Sequence, residues 1–275
     1  MELTATELTQ LKQLQLNMLR QFVDVCRQLN LRYYLMGGTM LGAVRHGGFI
    51  PWDDDIDVGM PRQDYEVFLQ KAQSLLPENL FVQTFETDPQ YPANFAKIRN
   101  SDTTFVETSV KKRRMNHGVY MDIFPLDYYP DEKEKSFENK KLLLTLRINR
   151  VYSDVHPKFT TRLASLAACV ACPSVQKALQ KREKLFRSVT SGSRIANHCG
   201  AWGKKEIVPA DWYGEGTTLA FEGIPVTVPA QYDKWLTHVY GDYMQLPPEE
   251  KRKSHHFLAA FDLAKPYTCY NEENL

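Results

Sequence analysis

The sequence predicts an α+β fold: a mixed sheet flanked by helices, with an additional helical segment. Three observations carry that prediction. Apolar residues recur at three- and four-residue steps over residues 4–29, the spacing of one helix face. Short runs rich in Val, Ile, Phe, Tyr and Thr then follow, up to about residue 128. From Asp131 to about Ser153 the pattern turns helical and charged.

The elements follow in order. Leu8, Leu11, Met18, Leu19, Phe22, Cys26 and Leu29 form the apolar stripe of the first helix, and Thr4 with Glu7 reads as its capping box. "RYYLMGG" reads as a strand running into paired glycines, and "TMLGAVRHGG" as a short helix stopped by Gly47 and Gly48. "FIPW" is extended chain before a turn, "DIDVGM" the next strand, and "RQDYEVFLQKAQSLL" a helix closed by Pro77. "LFVQTFE", "FAKIRN", "TTFVET" and "GVYMDIFPLD" are strand candidates. After the charged helix, two more helices are expected around 160–172 and 174–189. "TTLAFEGIPVTVP" reads as a hairpin turning at Glu222 and Gly223. "AQYDKWLTHVYG" is a short helix ending at Gly241, and "LPPEEKRKSHH" leads into a last apolar piece. The acidic-basic run "YPDEKEKSFENKK" is the best candidate boundary. It divides the chain into a core over 1–130, a helical insertion or subdomain over 131–200, and a C-terminal α/β segment over 201–275 that completes the site.

Composition bounds the function. With 275 residues and 43% hydrophobic content the chain can bury a large core, as one domain or one domain plus a small subdomain. A net charge of +1 supplies no global field for nucleic acid or membrane, so any anion site must be built locally. The N-terminus has no apolar signal region. The most apolar segment, "LASLAACVACPSV", is shorter than the roughly 18 residues that span a bilayer. The cysteines are Cys26, Cys169, Cys172, Cys199 and Cys269, an odd set that reads as reduced thiols in a cytoplasm. Cys169 and Cys172 with His198 and Cys199 raise zinc, but no second pair completes a tetrahedron; small apolar side chains on a helix are the bland alternative.

The chemistry concentrates in "GFIPWDDDIDVGM". Asp55 and Asp57 stand two apart in an expected strand, so their carboxylates share a face while Ile56 and Val58 enter the core. Two like charges held together out of water repel, and a divalent cation removes that cost. Oxygen ligands beside room for phosphates suit Mg2+, with Mn2+ second. Asp122, a lone carboxylate inside an apolar run, is the candidate third acid; its bland alternative is a strand-end turn cap. Asp53 shares the Asp55 face if the strand already begins there, and is a candidate helper to the metal. Asp54 reads as a turn cap or an arginine partner. Gly37 and Gly38 let backbone approach a phosphate at a helix N-terminus, and Thr39 adds a hydroxyl.

The stretch "GGTMLGAVRHGGFIPWDDDIDVGM" resembles the signature of the LicD family, which includes phosphocholine transferases and fukutin-type domains. "FAKIRN", "GVYMDIFPLD", "FEGIPVTVPAQYDKWLTHVYGDYMQLPP" and the late "HH" are similar to further family segments; residues 131–200 are the least familiar. The resemblance implies a nucleotidyltransferase-type fold. It also implies transfer of a substituted phosphate, foremost phosphocholine from CDP-choline, to a hydroxyl of a glycan or a lipid-linked glycan, with CMP leaving. Asp55, Asp57 and Asp122 would then carry the metal and the catalysis, with Asp122 taking the acceptor's proton.

Other residues have two readings each. Arg45 is a diphosphate ligand or a cation at a helix C-terminus. His46 reads as structural or exposed. Lys97 and Arg99 alternate on one face; the resemblance tips Lys97 towards phosphate. His255 and His256 are candidates for donor phosphate. Trp52 fills core or stacks on the donor. Tyr240 and Tyr243, with Trp235, are helix packing or an aromatic wall for a quaternary ammonium. "KKRR", residues 111–114, is a solvated loop or attracts an anionic acceptor such as a teichoic acid. The expected address is the cytoplasm, with peripheral contact at the inner membrane face as an extension. Two competing functions share the same motifs: a nucleotidyltransferase that releases pyrophosphate, and a non-catalytic binder of nucleotide or glycan.

Overall fold

A computed structural model describes residues 1–152, 159–254 and 256–270. Helix α1 (Ala5–Leu29) starts on the expected capping box: the Thr4 hydroxyl accepts the Glu7 N–H, and the Glu7 carboxylate accepts the Thr4 N–H at 2.8 Å. Asn30, left-handed at φ 52, closes it. Its face of Leu11, Met18, Leu19, Phe22 and Cys26 is buried in the main core.

In chain order the strands are β1 (Tyr34–Leu35), β2 (Asp57–Pro61), β3 (Leu80–Gln83), β4 (Ala96–Asn100), β5 (Thr104–Glu107), β6 (Val119–Tyr129), β7 (Arg194–Asn197), β8 (Ile207–Pro209), β9 (Thr217–Phe221), β10 (Ile224–Val228) and β11 (Leu258–Asp262). The main sheet runs β1-β2-β6-β4-β3, and β7 adds to β6 and β8 to β7. Among the described residues of this sheet only β2 and β6 pair in parallel; the other pairs are antiparallel, so the sheet is mixed as the sequence predicts.

Helices α2 (Gly37–His46), α3 (Arg62–Lys71) and α7 (Tyr232–Tyr240) flank the core. The hairpin β9–β10 turns at Glu222 and Gly223, with φ 49 and 77, the two positive values a type I′ turn requires. The helical segment is α4 (Glu134–Asn149), α5 (Phe159–Ala171) and α6 (Val175–Phe186). Among the described residues no helix is long and apolar enough to cross a membrane.

Two features depart from the pattern reading. First, region 131–200 ends in a strand: β7 pairs with the second half of β6, Leu126 to Tyr129, and so returns the chain to the main sheet. "RIAN" has one β-branched residue and shows no period, so its long partner decides its conformation. Second, β5 leaves the main sheet and pairs with β11 across the chain as a separate ribbon. Such a long-range partner leaves no local mark.

Arg62 at the start of α3 ties the helical segment to the sheet. It donates to both oxygens of Asp127 on β6, at 2.7 and 2.6 Å, and to Glu183 on α6 at 2.5 Å. Beside it, His198 stacks on Phe186 at 4.5 Å between ring centroids, with Phe137 and Tyr129 around it. Burial there pushes the His198 pKa down to about 3, assisted by Lys141, Arg62 and Arg182. A histidine held neutral in the fold takes up a proton first in the unfolded chain. Its share of stability is therefore complete above the unfolded pKa near 6.5 and is lost as pH falls towards 3. His198→Phe is expected to flatten the loss of stability between those limits, on the order of a few kcal/mol, in urea melts run across that range.

Candidate active site

The register of three strands builds the site. Parallel pairing sets Asp57 of β2 opposite Asp122 of β6, and antiparallel pairing sets Lys97 of β4 opposite the same Asp122. An acid, an acid and a lysine thus stand in one row across adjacent strands. Lys97 Nζ meets Asp122 Oδ1 at 2.6 Å and lies 3.3 Å from the Tyr120 ring centroid. Arg99, also facing inward, binds Gln83 and the Gly118 carbonyl at 2.8 Å each and stacks over the same ring at 4.6 Å.

The strand containing Asp57 begins at that residue, so Asp53, Asp54 and Asp55 precede it. Burial nevertheless alternates from Asp53 to Val58: Asp54, Ile56 and Val58 are buried, and Asp53, Asp55 and Asp57 are half-buried. Asp53, Asp55 and Asp57 therefore share a face, and all three line one cavity of about 580 Å3 with Asp122, Gly37, Gly38, Trp52 and His256. His255 lies outside the described residues.

The glycines and Thr39 seat α2 against this face. A Cβ on Gly38 would stand 2.6 Å from Asp53 Oδ2, and one on Gly37, whose φ is +52, would stand 3.3 Å from Asp57 Oδ2. Only glycine allows so close an approach. The buried Thr39 hydroxyl accepts the Asp57 N–H at 2.8 Å, which fixes the first residue of the strand beneath the helix. Arg45, at the far end of α2, donates to the Tyr243 carbonyl at 2.7 Å and to His46 at 3.0 Å, and it does not line the cavity.

Asp54 has a different part from its neighbours. It is 2% exposed, accepts from Ser254 Oγ at 2.5 Å, and pairs with His256 Nδ1 at 2.9 Å. These two residues anchor the aspartate loop from the far end of the chain, where the sequence suggests a turn cap or an arginine partner. Gln15 of α1 anchors it from the other side, donating to the Asp54 carbonyl at 2.9 Å and to the Tyr120 carbonyl at 3.2 Å. Sequence patterning gives Gln15 no signal beyond a polar residue among apolar neighbours.

Electrostatics mark the cluster. Burial raises the pKa of Asp53 and Asp57 well above the usual carboxylate range, and the neighbouring aspartates add to it. Asp55 and Asp122 are raised by burial too, with His256 and Lys97 respectively pulling the other way. Burial opposes charge on His256, but Asp54 and Asp55 prevail and raise its pKa to about 9, so it is a cation at neutral pH. Hard oxygen ligands short of counter-charge suit a divalent cation. Among the described residues no three His, Cys, Asp or Glu side chains form a ready-made cage. Magnesium needs none, since it takes one or two carboxylates and completes its shell with water and substrate phosphate oxygens.

Part of the cavity wall is aromatic. Trp202 and Tyr240 meet edge to face at 5.0 Å, and Phe95, Phe124, Asn197, Cys199 and Glu206 also line the cavity. Burial raises the Glu206 pKa to about 7. Trp235 is fully buried core, and the Tyr243 hydroxyl donates to Asp233. Lys111, Arg113 and Arg114 line a separate groove of about 840 Å3 with Tyr267 and Tyr270. Cys172 is buried against Leu144 and Leu179, whereas Cys199 packs beside Phe186 in another cluster.

Residues 30–173 match the model of the LicD/FKTN/FKRP nucleotidyltransferase domain. The chain is 32% identical over 265 residues to the lipopolysaccharide cholinephosphotransferase LicD of Haemophilus influenzae, covering 90% of this chain and 95% of that protein. It is 49% identical over 116 residues to human ribitol 5-phosphate transferase FKRP, covering 41% of this chain and 23% of that protein. An uncharacterized protein of Rickettsia prowazekii is 34% identical over 103 residues, 37% of this chain and 35% of its own length.

Proposed function

The chain belongs to the LicD/FKTN/FKRP family, and from that membership we propose a metal-dependent transferase that moves a substituted phosphate from a CDP-linked donor to a glycan hydroxyl. Phosphocholine from CDP-choline is the first candidate, since the relative matched over nearly its whole length is named a cholinephosphotransferase. The acceptor is a cell-surface glycan or its lipid-linked precursor, met at the inner face of the membrane. The observation that carries this reading is the row Asp57, Asp122 and Lys97 beside the glycine-opened N-terminus of α2.

The residues divide the work as follows. The unpaired N–H groups at the start of α2 receive phosphate oxygens, and Gly37 and Gly38 let the diphosphate come close. Asp55 and Asp57, with Asp53 beside them, would hold magnesium, which supplies positive charge to the diphosphate and to the departing CMP oxygen. The acceptor hydroxyl attacks the β-phosphorus in line, the bond to the CMP oxygen breaks, and the hydroxyl proton passes to Asp122. Lys97 favours the charged form of Asp122 and holds it at 2.6 Å, while burial, the larger influence, raises its affinity for that proton.

Product analysis tests the reading. Incubation with CDP-choline, magnesium and a glycan acceptor is expected to release CMP and to add the mass of phosphocholine to the acceptor. Pyrophosphate from a nucleoside triphosphate would move the chain to the nucleotidyltransferase reading instead. Donor binding without any product would leave a binding module.

A further inference from the structure

We propose that the part of the cavity walled by Trp202 and Tyr240 over the Glu206 carboxyl seats the donor's head group, and that it selects an organic cation, a quaternary ammonium, over a polyol. The proposal rests on the CDP-linked donor reading for what carries the head group, but the seat is argued from its own residues.

The first argument is the wall. Trp202 and Tyr240 lie at 81° to each other with centroids 5.0 Å apart, and both line the cavity. Phe95 and Phe124, 4.6 Å apart, line it as well. Aromatic faces attract a cation through the ring quadrupole, most strongly for tryptophan. The Trp202 indole already serves one: Lys205 Nζ lies 5.6 Å from its centroid.

The second argument is the buried carboxyl, whose ionised form a bound cation would favour. Glu206 is 4% exposed and accepts the Trp202 backbone N–H at 2.9 Å, so it fixes the main chain that carries the indole and puts a carboxyl beside it. A carboxylate at the base of an aromatic pocket supplies the counter-charge that a desolvated ammonium requires.

The third argument is what the pocket lacks. A polyol needs a hydrogen-bond partner for each hydroxyl as it leaves water. Around these rings the polar groups are Asn197, Glu206 and the Tyr240 hydroxyl, and each is engaged: Asn197 Oδ1 accepts the Cys199 N–H at 3.1 Å, Glu206 accepts the Trp202 backbone N–H, and the Tyr240 hydroxyl bonds the Trp202 side chain. A trimethylammonium group asks for no such partners. Tyr240 also joins this seat to the phosphate site, because its hydroxyl lies 4.0 Å from where a Gly37 Cβ would stand, beside Asp57.

The experiment uses the full chain and three probes: tetramethylammonium read by tryptophan fluorescence, CDP, and the pair CDP-choline and CDP-ribitol. Tetramethylammonium is expected to bind and to compete with CDP-choline but not with CDP. Trp202→Ala is expected to raise KM for CDP-choline about tenfold with little change in kcat or in CDP affinity, and Trp202→Phe to restore most of the loss. Glu206→Gln, which keeps the acceptor for the Trp202 N–H, is expected to weaken CDP-choline and not CDP. No tetramethylammonium binding, equal losses for CDP-choline and CDP-ribitol in Trp202→Ala, or a wild-type preference for CDP-ribitol would each overturn the seat. Absence of CDP binding, with tetramethylammonium still bound at Trp202, would instead overturn the donor reading and leave the cation seat standing.

Discussion

Asp57→Asn is expected to lose turnover by on the order of a thousandfold while melting at or above the wild-type temperature. The two halves of this result have one cause. The Asp57 carboxylate is partly withdrawn from water, and Asp55, Asp122 and Asp53 all push its proton affinity higher. Its ionised form is therefore a cost to the fold that the amide removes. The hydrogen bonds that hold the residue belong to its backbone, from Met36 N–H at 2.9 Å and to Thr39 at 2.8 Å, and survive the change. The same logic makes magnesium a stabiliser. A ligand bound by the folded state alone raises the melting temperature, so magnesium is expected to shift wild type upward and Asp57→Asn much less. CMP release and thermal melts with and without magnesium check both halves. A variant that melts well below wild type and still turns over would show a structural aspartate and no metal seat.

The largest effect on stability is expected at Arg62. Its guanidinium serves Asp127, 2% exposed, and Glu183 together. Arg62→Met keeps the length of the stem and leaves two carboxylates without their cation inside the protein. Breaking such a pair costs about 3–5 kcal/mol, far more than a surface bridge. Because Glu183 is on α6 and Asp127 on β6, the loss falls on the joint between the helical segment and the sheet. Urea melts should lose that amount, and limited proteolysis should cut the helical segment first. The surface pair Arg27 and Asp24 is the control, and its removal should change little.

These cases also show where the sequence is informative. The capping box at Thr4, the turn at Glu222 and Gly223, and the alternation of Asp53, Asp55 and Asp57 are visible because each is written in adjacent residues. A cap, a two-residue turn and a strand face need nothing from elsewhere in the chain. The fold class follows from the same local periods, and the signature around the glycines and aspartates points to the family. What stays hidden depends on distant partners. β7 exists because β6 is long enough to receive it. Asp54 looks like a turn residue until Ser254 and His256 arrive. Trp202 sits in a stretch with no period, so its place opposite Tyr240 is a product of the fold alone. Tyr240 is visible as a candidate, but its expected companions Trp235 and Tyr243 point elsewhere, into the core and to Asp233.

The clasp on Asp54 sets an order of events during synthesis. Its two closing residues lie 200 and 202 positions further along the chain. A nascent polypeptide can form α1, the glycine turn and β2 while most of the protein is still unmade. It cannot close the aspartate loop until the segment holding Ser254 and His256 has left the ribosome. A product that terminates after Asp122 but before that segment carries Asp53, Asp55, Asp57 and Asp122 and lacks the latch on their loop. The arrangement of the aspartate loop therefore waits until Ser254 and His256 have been made.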